Sequence, residues 1–321
     1  MLEELTHQLK ESDCSCYRYL YFFAVVIGAY KLAIFLYYSV KWVQRHTFRQ
    51  KMNLLERYGG KGTWALVTGA SDGFGAEYCR QLAKDGFNII LVSRTMSKLQ
   101  AVDQELKQIN PSIQTRIVQA DFSGNATVEF YKNIFEKVKD LDIGLLINNA
   151  GVMFNGRVDE SKEKYLTDTI DVNVTHVAMM TSHFLPKLLA RKPKRSGLIN
   201  VSSMIGYFDG SAGMAVYGAS KAYVNFFTQA LAKEVEGQNI DVQCFTPGMA
   251  GTNLWQEKSK NNVLGITPKS CVTAGLRDMG FGLESSGHWN HDLQTPFVEF
   301  MSQLPGVQFV FNIVYGKWMK S

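Results

Sequence analysis

Tyr217 and Lys221 stand four residues apart in the run Tyr217-Gly218-Ala219-Ser220-Lys221. On an α-helix that spacing puts both on one face, one turn from each other. A lysine ammonium beside a phenol favours the phenolate, drawing the tyrosine pKa down from its reference near ~10 toward neutral pH. Such a pair can give a proton to the oxygen of a carbonyl/alcohol couple, or take one from it. The other half of that chemistry is a hydride carrier, and a second motif far upstream suits one. In Thr68-Gly69-Ala70-Ser71-Asp72-Gly73-Phe74-Gly75, the glycines lie between an apolar run and a helical pattern. Gly69, Gly73 and Gly75 permit a tight turn and close backbone approach to a pyrophosphate, with a helix N-terminus facing the anion. Ser71, Asp72 and Phe74 complete that turn and are expected to border the same dinucleotide.

The next strand ends in Ser93 and Arg94, with Lys98 a turn later. A carboxylate at that point would take the ribose hydroxyls of NAD. A guanidinium suits the 2′-phosphate of NADP, which a carboxylate would repel. NADP(H) is therefore the expected cofactor, and a merely solvated Arg94 is the competing reading.

These residues need a scaffold, and the chain alternates apolar runs with amphipathic stretches from Gly62 onward. Strands are expected at 64–67, 88–92, 115–119, 144–147, 198–201 and 241–245, with helices over 76–85, 97–109, 165–189 and 216–235. Such alternation implies a single-domain α/β fold, a doubly wound parallel sheet with ligands at the carboxyl ends of its strands. Pro268 is expected to open a further helix.

Ahead of this domain, residues 19–42 are apolar and rich in tyrosine, long enough as a helix to cross a bilayer core of ~30 Å. Glu3, Glu4, Glu11 and Asp13 precede the stretch, which excludes a signal peptide with a basic start. Lys31 is costly at bilayer depth, so it snorkels, packs against a partner or marks an interfacial segment. Lys41, Arg45, Arg49 and Lys51 follow closely and would keep the catalytic domain on the cytosolic side or in an organelle's inner compartment. The expected organisation is a polar segment 1–18, a transmembrane anchor 19–42, a basic linker 43–60 and a catalytic domain 61–321. Within that domain a substrate loop is expected at about 252–294 and an apolar segment at 296–318, packed on the sheet or pressed onto the membrane.

The net charge of +5 over 321 residues is mild, and much of it lies between Lys41 and Arg57, so no nucleic-acid module is expected. Five cysteines, an odd number and mostly scattered, argue against a disulfide framework. Cys14 and Cys16 are too close for a zinc site and are read as bystander thiols or lipidation sites. No metal site is expected.

Taken with Asp121 after the third strand, Asn148-Asn149-Ala150-Gly151, Asn173, Ser203, Pro247-Gly248 and Thr252, these motifs resemble the short-chain dehydrogenase/reductase superfamily over roughly 61–252. Within it, the chain is similar to the membrane-anchored 17β-hydroxysteroid dehydrogenase and very-long-chain 3-oxoacyl-CoA reductase group. That likeness lies in the anchor, the lead-in Gly59-Gly60-Lys61-Gly62-Thr63-Trp64-Ala65, the Ala70–Gly73 turn, and Leu91–Thr95 followed by Lys98-Leu99. The resemblance implies a Rossmann fold with Tyr217 as general acid/base. Lys221 would lower its pKa and hold the nicotinamide ribose, Ser203 would bind the carbonyl or alkoxide, and Asn173 would anchor a water relay. It also implies that Asp121 contacts adenine and that Asn149, Ala150, Gly151, Pro247, Gly248 and Thr252 line the cofactor.

Ser203 and Tyr217 are 14 apart, one more than the group's pattern, so the intervening loop is expected to bulge, with Ser202 as the fallback. His176 and His183, on the helix that supplies Asn173, read as packing or surface histidines. The implied activity is NADPH-dependent reduction of a lipid-like ketone, a long-chain 3-oxoacyl-CoA in fatty-acid elongation first and a steroid or retinoid second. A reading of another class is an accessory or scaffold subunit of a membrane assembly, and a homo-oligomer is also left open. By family analogy the membrane is the endoplasmic reticulum, with a mitochondrial membrane as the alternative.

Overall fold

The computed structural model describes residues 15–294 apart from 209, 211, 249 and 251–265. The expected polar segment up to residue 14, the substrate loop over 252–265, Thr252 itself and the apolar segment 296–318 lie outside the described residues.

The chain divides into two units, one ending at Arg49 and the other beginning at Gln50. In the first, helix α1 (Ser15–Val43) runs into a π-helical turn, Gln44–Phe48. Tyr19–Phe48 is long and apolar enough to cross a membrane, and its side chains are not buried by the protein. Near its end Lys41 lies over the Tyr37 ring, 5.6 Å from the centroid.

The second unit is built on a sheet of seven described strands. They are β1 (Trp64–Thr68), β2 (Asn88–Ser93), β3 (Thr115–Gln119), β4 (Ile143–Asn148), β5 (Ser196–Val201), β6 (Ile240–Phe245) and a short β7 (Glu284–Ser285). The order is β3-β2-β1-β4-β5-β6-β7, and every pairing is parallel. Strands covered on both faces read as unbroken apolar runs, and β1, β2, β4 and β5 are buried at every residue. The period-two alternation divides β1 between the two cores: Ala65 and Val67 face one, Trp64 and Leu66 the other.

After the short α2 (Leu54–Arg57), the first core is closed by α3 (Gly73–Asp85), α4 (Met96–Ile109) and the helix Pro268–Asp278, through Leu82, Leu99, Val102, Val272 and Leu276. The second core is closed by the helices Val128–Glu136, His176–Leu189 and Ala215–Glu234, through Ile134, Phe184 and Leu231. Strand order reverses between β1 and β4, and the glycine turn and the Asn149–Gly151 turn both leave the sheet there. That crevice is where open α/β sheets bind ligands.

Three local features differ from expectation. The helix over 165–189 is interrupted: Glu163–Ile170 is α-helical, Asp171–Thr175 is a π-turn, and α-helix resumes at His176. A helix at Val128–Glu136 was not expected; Thr127 caps it by accepting a hydrogen bond from the Phe130 amide. The stretch 43–60 is not a linker throughout, because the helical turn Leu54–Arg57 is packed in the second unit with Leu54 and Tyr58 buried. Asp241 holds it there by accepting two hydrogen bonds from Arg57, at 2.6 and 3.0 Å, and one from the Tyr58 hydroxyl at 2.9 Å. Pro268 does open a helix, capped by Thr267 and Ser270.

Candidate active site

The glycine turn joins β1 to α3, and its glycines are required by contact as well as by conformation. Gly69 and Gly73 have φ of +65° and +54°, which β-carbon-bearing residues rarely adopt. A Cβ on Gly69 would lie 2.9 Å from Ala150 Cα, and one on Gly75 would run into the Gly69 carbonyl. Asp72 caps α3 by accepting a hydrogen bond from the Gly73 amide at 2.7 Å. The result is a tight backbone cradle at a helix N-terminus, fitted to a pyrophosphate. The Phe74 side chain turns away from it and packs edge-on against Phe245, so only its backbone borders the turn.

Ser71 and Ser93 share a hydrogen bond of 2.9 Å. Arg94 is exposed just beyond, its carbonyl accepting from Gln119. Lys98 reaches Asp72 at 3.5 Å. The ends of β1 and β2 thus bring Ser71, Ser93, Arg94 and Lys98 close in the fold, with the Asp72 carboxylate paired to Lys98. Asp121, exposed after β3, accepts from the Ser123 amide.

Across the crevice, Asn149 donates to the Thr68 carbonyl at 2.8 Å, binding its turn to the glycine turn. The turn is held at its other end by Asn173, which accepts from the Val152 amide and donates to the Val152 carbonyl, both at 2.9 Å. Asn173 also donates to Ser220 Oγ at 3.0 Å. Both of its amide hydrogens are committed, while Oδ1 keeps one lone pair beyond the Val152 amide. The π-turn carrying it loosens the regular carbonyl ladder at that position.

Tyr217 and Lys221 lie in the first two turns of Ala215–Glu234, with the Lys221 ammonium 5.9 Å from the Tyr217 ring centroid. Both are buried, at 6% and 5% exposure. Lys221 Nζ donates to the Val201 carbonyl at 3.1 Å. Gly151 lies beside that nitrogen: a Cβ there would stand 3.5 Å away, in ordinary contact. Burial is the main cause that draws the Lys221 pKa down to about 8.

The two serines are separated by the alternation of the chain leaving β5. Ser202 is buried, and its hydroxyl donates to the Lys221 carbonyl at 2.8 Å. Ser203 is half-buried at the opening and caps the short turn Met204–Tyr207. Its hydroxyl lies 3.3 Å from the Pro247 carbonyl. Of the two, Ser203 is the more exposed, while the Ser202 hydroxyl is turned inward. Gly206 seats that turn on the helix, since a Cβ there would be 2.7 Å from the Ala222 amide. The Met204 amide donates to Pro247 as well, so Pro247-Gly248 is fastened to the Ser203 turn. The loop after β4 reaches the one before Tyr217 through the Gly156 amide and the Gly213 carbonyl, 2.8 Å apart. Phe154 and Tyr165 stack beside it at 4.8 Å.

Two residues of the crevice escaped the sequence reading. Thr68 Oγ1 accepts from the Asn149 and Ala150 amides at 2.9 and 3.0 Å. His176, read as packing, is fully buried with Nε2 2.9 Å from that same oxygen. The only signal was a polar residue three positions after Asn173.

A doubly wound parallel sheet with a glycine turn at its switch point and a buried Tyr-Lys pair opposite defines a dinucleotide-dependent oxidoreductase. Residues 63–263 match the short chain dehydrogenase family, and the chain belongs to it. A very-long-chain 3-oxoacyl-CoA reductase of Coccidioides immitis (strain RS) is 38% identical over 262 residues, covering 78% of this chain and 74% of its own. A solved structure concerning 7β-hydroxysteroid dehydrogenase stereoselectivity superposes with a TM-score of 0.69 at 28% identity, over 84% of this chain and all of that one. A short-chain dehydrogenase from Sphingobium yanoikuyae, solved in complex with NADPH, gives 0.61 at 26% identity, over 76% and 97%. Family membership supports a nicotinamide cofactor for this chain.

Proposed function

We propose that the protein is a membrane-anchored, NADPH-dependent reductase of lipid-like ketones, with a long-chain 3-oxoacyl-CoA as its substrate. The observation that carries this reading is the buried pair of Tyr217 and Lys221, joined to the glycine cradle through the Asn149–Gly151 turn, with the half-buried Ser203 nearby in the turn before their helix. When bound, a nicotinamide dinucleotide supplies the hydride. Ser203 and Tyr217 donate hydrogen bonds to the carbonyl oxygen, where negative charge grows as the carbon is reduced. Tyr217 gives up its proton, and the Lys221 ammonium stabilises the phenolate left behind. Lys221, Asn149, Ala150, Gly151, Pro247 and Gly248 would hold the nicotinamide half, and Gly69–Gly75 the pyrophosphate. Asp121 would take the adenine side.

Ser93 and Arg94 at the end of β2, where NAD-binding sheets carry a carboxylate, support NADPH over NADH, with Lys98 nearby and paired to Asp72. Apolar side chains around the loop after β4, Phe154, Val158 and Tyr165, support an apolar substrate. The helix Tyr19–Phe48 supports anchoring to the membrane in which such substrates dissolve, the endoplasmic reticulum by analogy. The 7β-hydroxysteroid dehydrogenase neighbour favours a steroid ketone as the second reading. Full-length protein in detergent, given NADPH and either a long-chain 3-oxoacyl-CoA, a steroid ketone or a retinoid aldehyde, tests the reading. Cofactor oxidation with the acyl-CoA alone is expected. Oxidation with the steroid alone would move the assignment to the second reading, and none with any carbonyl would refute both.

A further inference from the structure

We propose that His176 is a positioning residue of the cofactor cradle: by taking the hydroxyl proton of Thr68, it commits both lone pairs of that oxygen to the Asn149 and Ala150 amides and fixes the turn beside Lys221. The hydrogen positions follow from chemistry. His176 Nδ1 faces the Val172 carbonyl at 3.1 Å. A carbonyl only accepts, so Nδ1 carries the proton and Nε2 is the acceptor. Thr68 Oγ1 already receives two amide hydrogens, from Asn149 and Ala150. Its single proton then has two acceptors in range, Nε2 at 2.9 Å and the Ile147 carbonyl at 3.3 Å, and the nearer one takes it. Each donor in this set meets one acceptor, with none left over.

A charged ring would break the set. Its second N–H would point at an oxygen with no free lone pair. Burial agrees with a neutral ring, since desolvation first, with Lys221 adding to it, pulls the pKa down to about 3. Phe122 packs against the ring, tilted by 49° with centroids 4.3 Å apart. His176 follows directly on the π-turn that bears Asn173. One helical segment therefore holds both ends of the 149–152 turn, through Thr68 at the front and Asn173 at the back.

The inference rests on the dinucleotide site proposed above and is tested by binding, not turnover. NADPH fluorescence gives the dissociation constant for detergent-solubilised full-length protein, and thermal unfolding without cofactor reports the fold. His176→Phe keeps a flat ring but removes the acceptor; Thr68→Val removes the hydroxyl at nearly constant volume. Each is expected to weaken NADPH about tenfold, the worth of one buried hydrogen bond. His176→Gln, which keeps an acceptor, should restore most of the affinity. In a Thr68→Val background, His176→Phe should cost nothing more, because both changes remove the same link. Folded His176→Phe with wild-type affinity would overturn the proposal, as would losses that add in full. If His176→Phe does not fold, wild-type affinity in Thr68→Val overturns it equally. Wild-type protein that fails to bind NADPH would instead sink the dinucleotide reading on which the inference rests.

Discussion

Replacing Lys221 with methionine should stabilise the cofactor-free protein while abolishing its activity. The side chain is 5% exposed, and burial lowers its pKa from 10.5 to about 8. Keeping the ammonium charged inside the fold therefore costs about 3 kcal/mol at neutral pH. Methionine removes that cost but leaves the Val201 carbonyl without its donor, a loss of about 1 kcal/mol. The balance is about 2 kcal/mol in favour of the variant, or an unfolding midpoint raised by roughly 4–8 °C. The sign depends on pH. Below about 8 the lysine is charged in both the folded and unfolded chain, and the whole penalty is present. From there to 10.5 the folded form sheds its proton while the unfolded form keeps it, so wild-type stability rises. Beyond that window only the lost hydrogen bond remains, and Lys221→Met should be the less stable protein. Calorimetric melts of both proteins across this range, with NADPH turnover measured in parallel, test the argument. A variant that melts lower at neutral pH, or that still turns over, would refute it.

Further outcomes follow from the same geometry. The rate of reduction should fall as pH rises through about 8, with the Lys221 charge, in steady-state profiles at saturating NADPH. Ser203→Ala should lower kcat by about a hundredfold with NADPH affinity unchanged, whereas Ser202→Ala should mainly cost about 1 kcal/mol of stability through its bond to the Lys221 carbonyl. Arg94→Asp should lose NADPH and gain NADH, seen as at least about a tenfold reversal in the ratio of kcat/KM values.

The sheet was largely legible in the sequence because parallel strands buried on both faces are apolar throughout, as in Trp64–Thr68 and Ile143–Asn148. Local motifs likewise announced the glycine turn, which depends only on residues adjacent in the chain. What stayed hidden depends on partners far apart. The turn Leu54–Arg57 is too short to show a helical period and is fixed by Asp241, 184 residues from Arg57. His176 and Thr68 are 108 residues apart, so nothing local separates that histidine from a packing residue. The π-turn at Asp171–Thr175 leaves no signature in the apolar spacing of the helix it interrupts. Ser203 was preferred to Ser202 through the family resemblance alone, because which of the two side chains turns inward as β5 ends depends on the fold.

The central claim is that the Tyr217 hydroxyl, beside Lys221, delivers the proton that completes carbonyl reduction. Loss of NADPH absorbance with a long-chain 3-oxoacyl-CoA, compared between wild type and Tyr217→Phe at equal cofactor occupancy, tests it most directly. The variant lacks one oxygen and should bind NADPH nearly as well, yet turn over slower by about two to four orders of magnitude. Comparable rates in the two proteins would contradict the account.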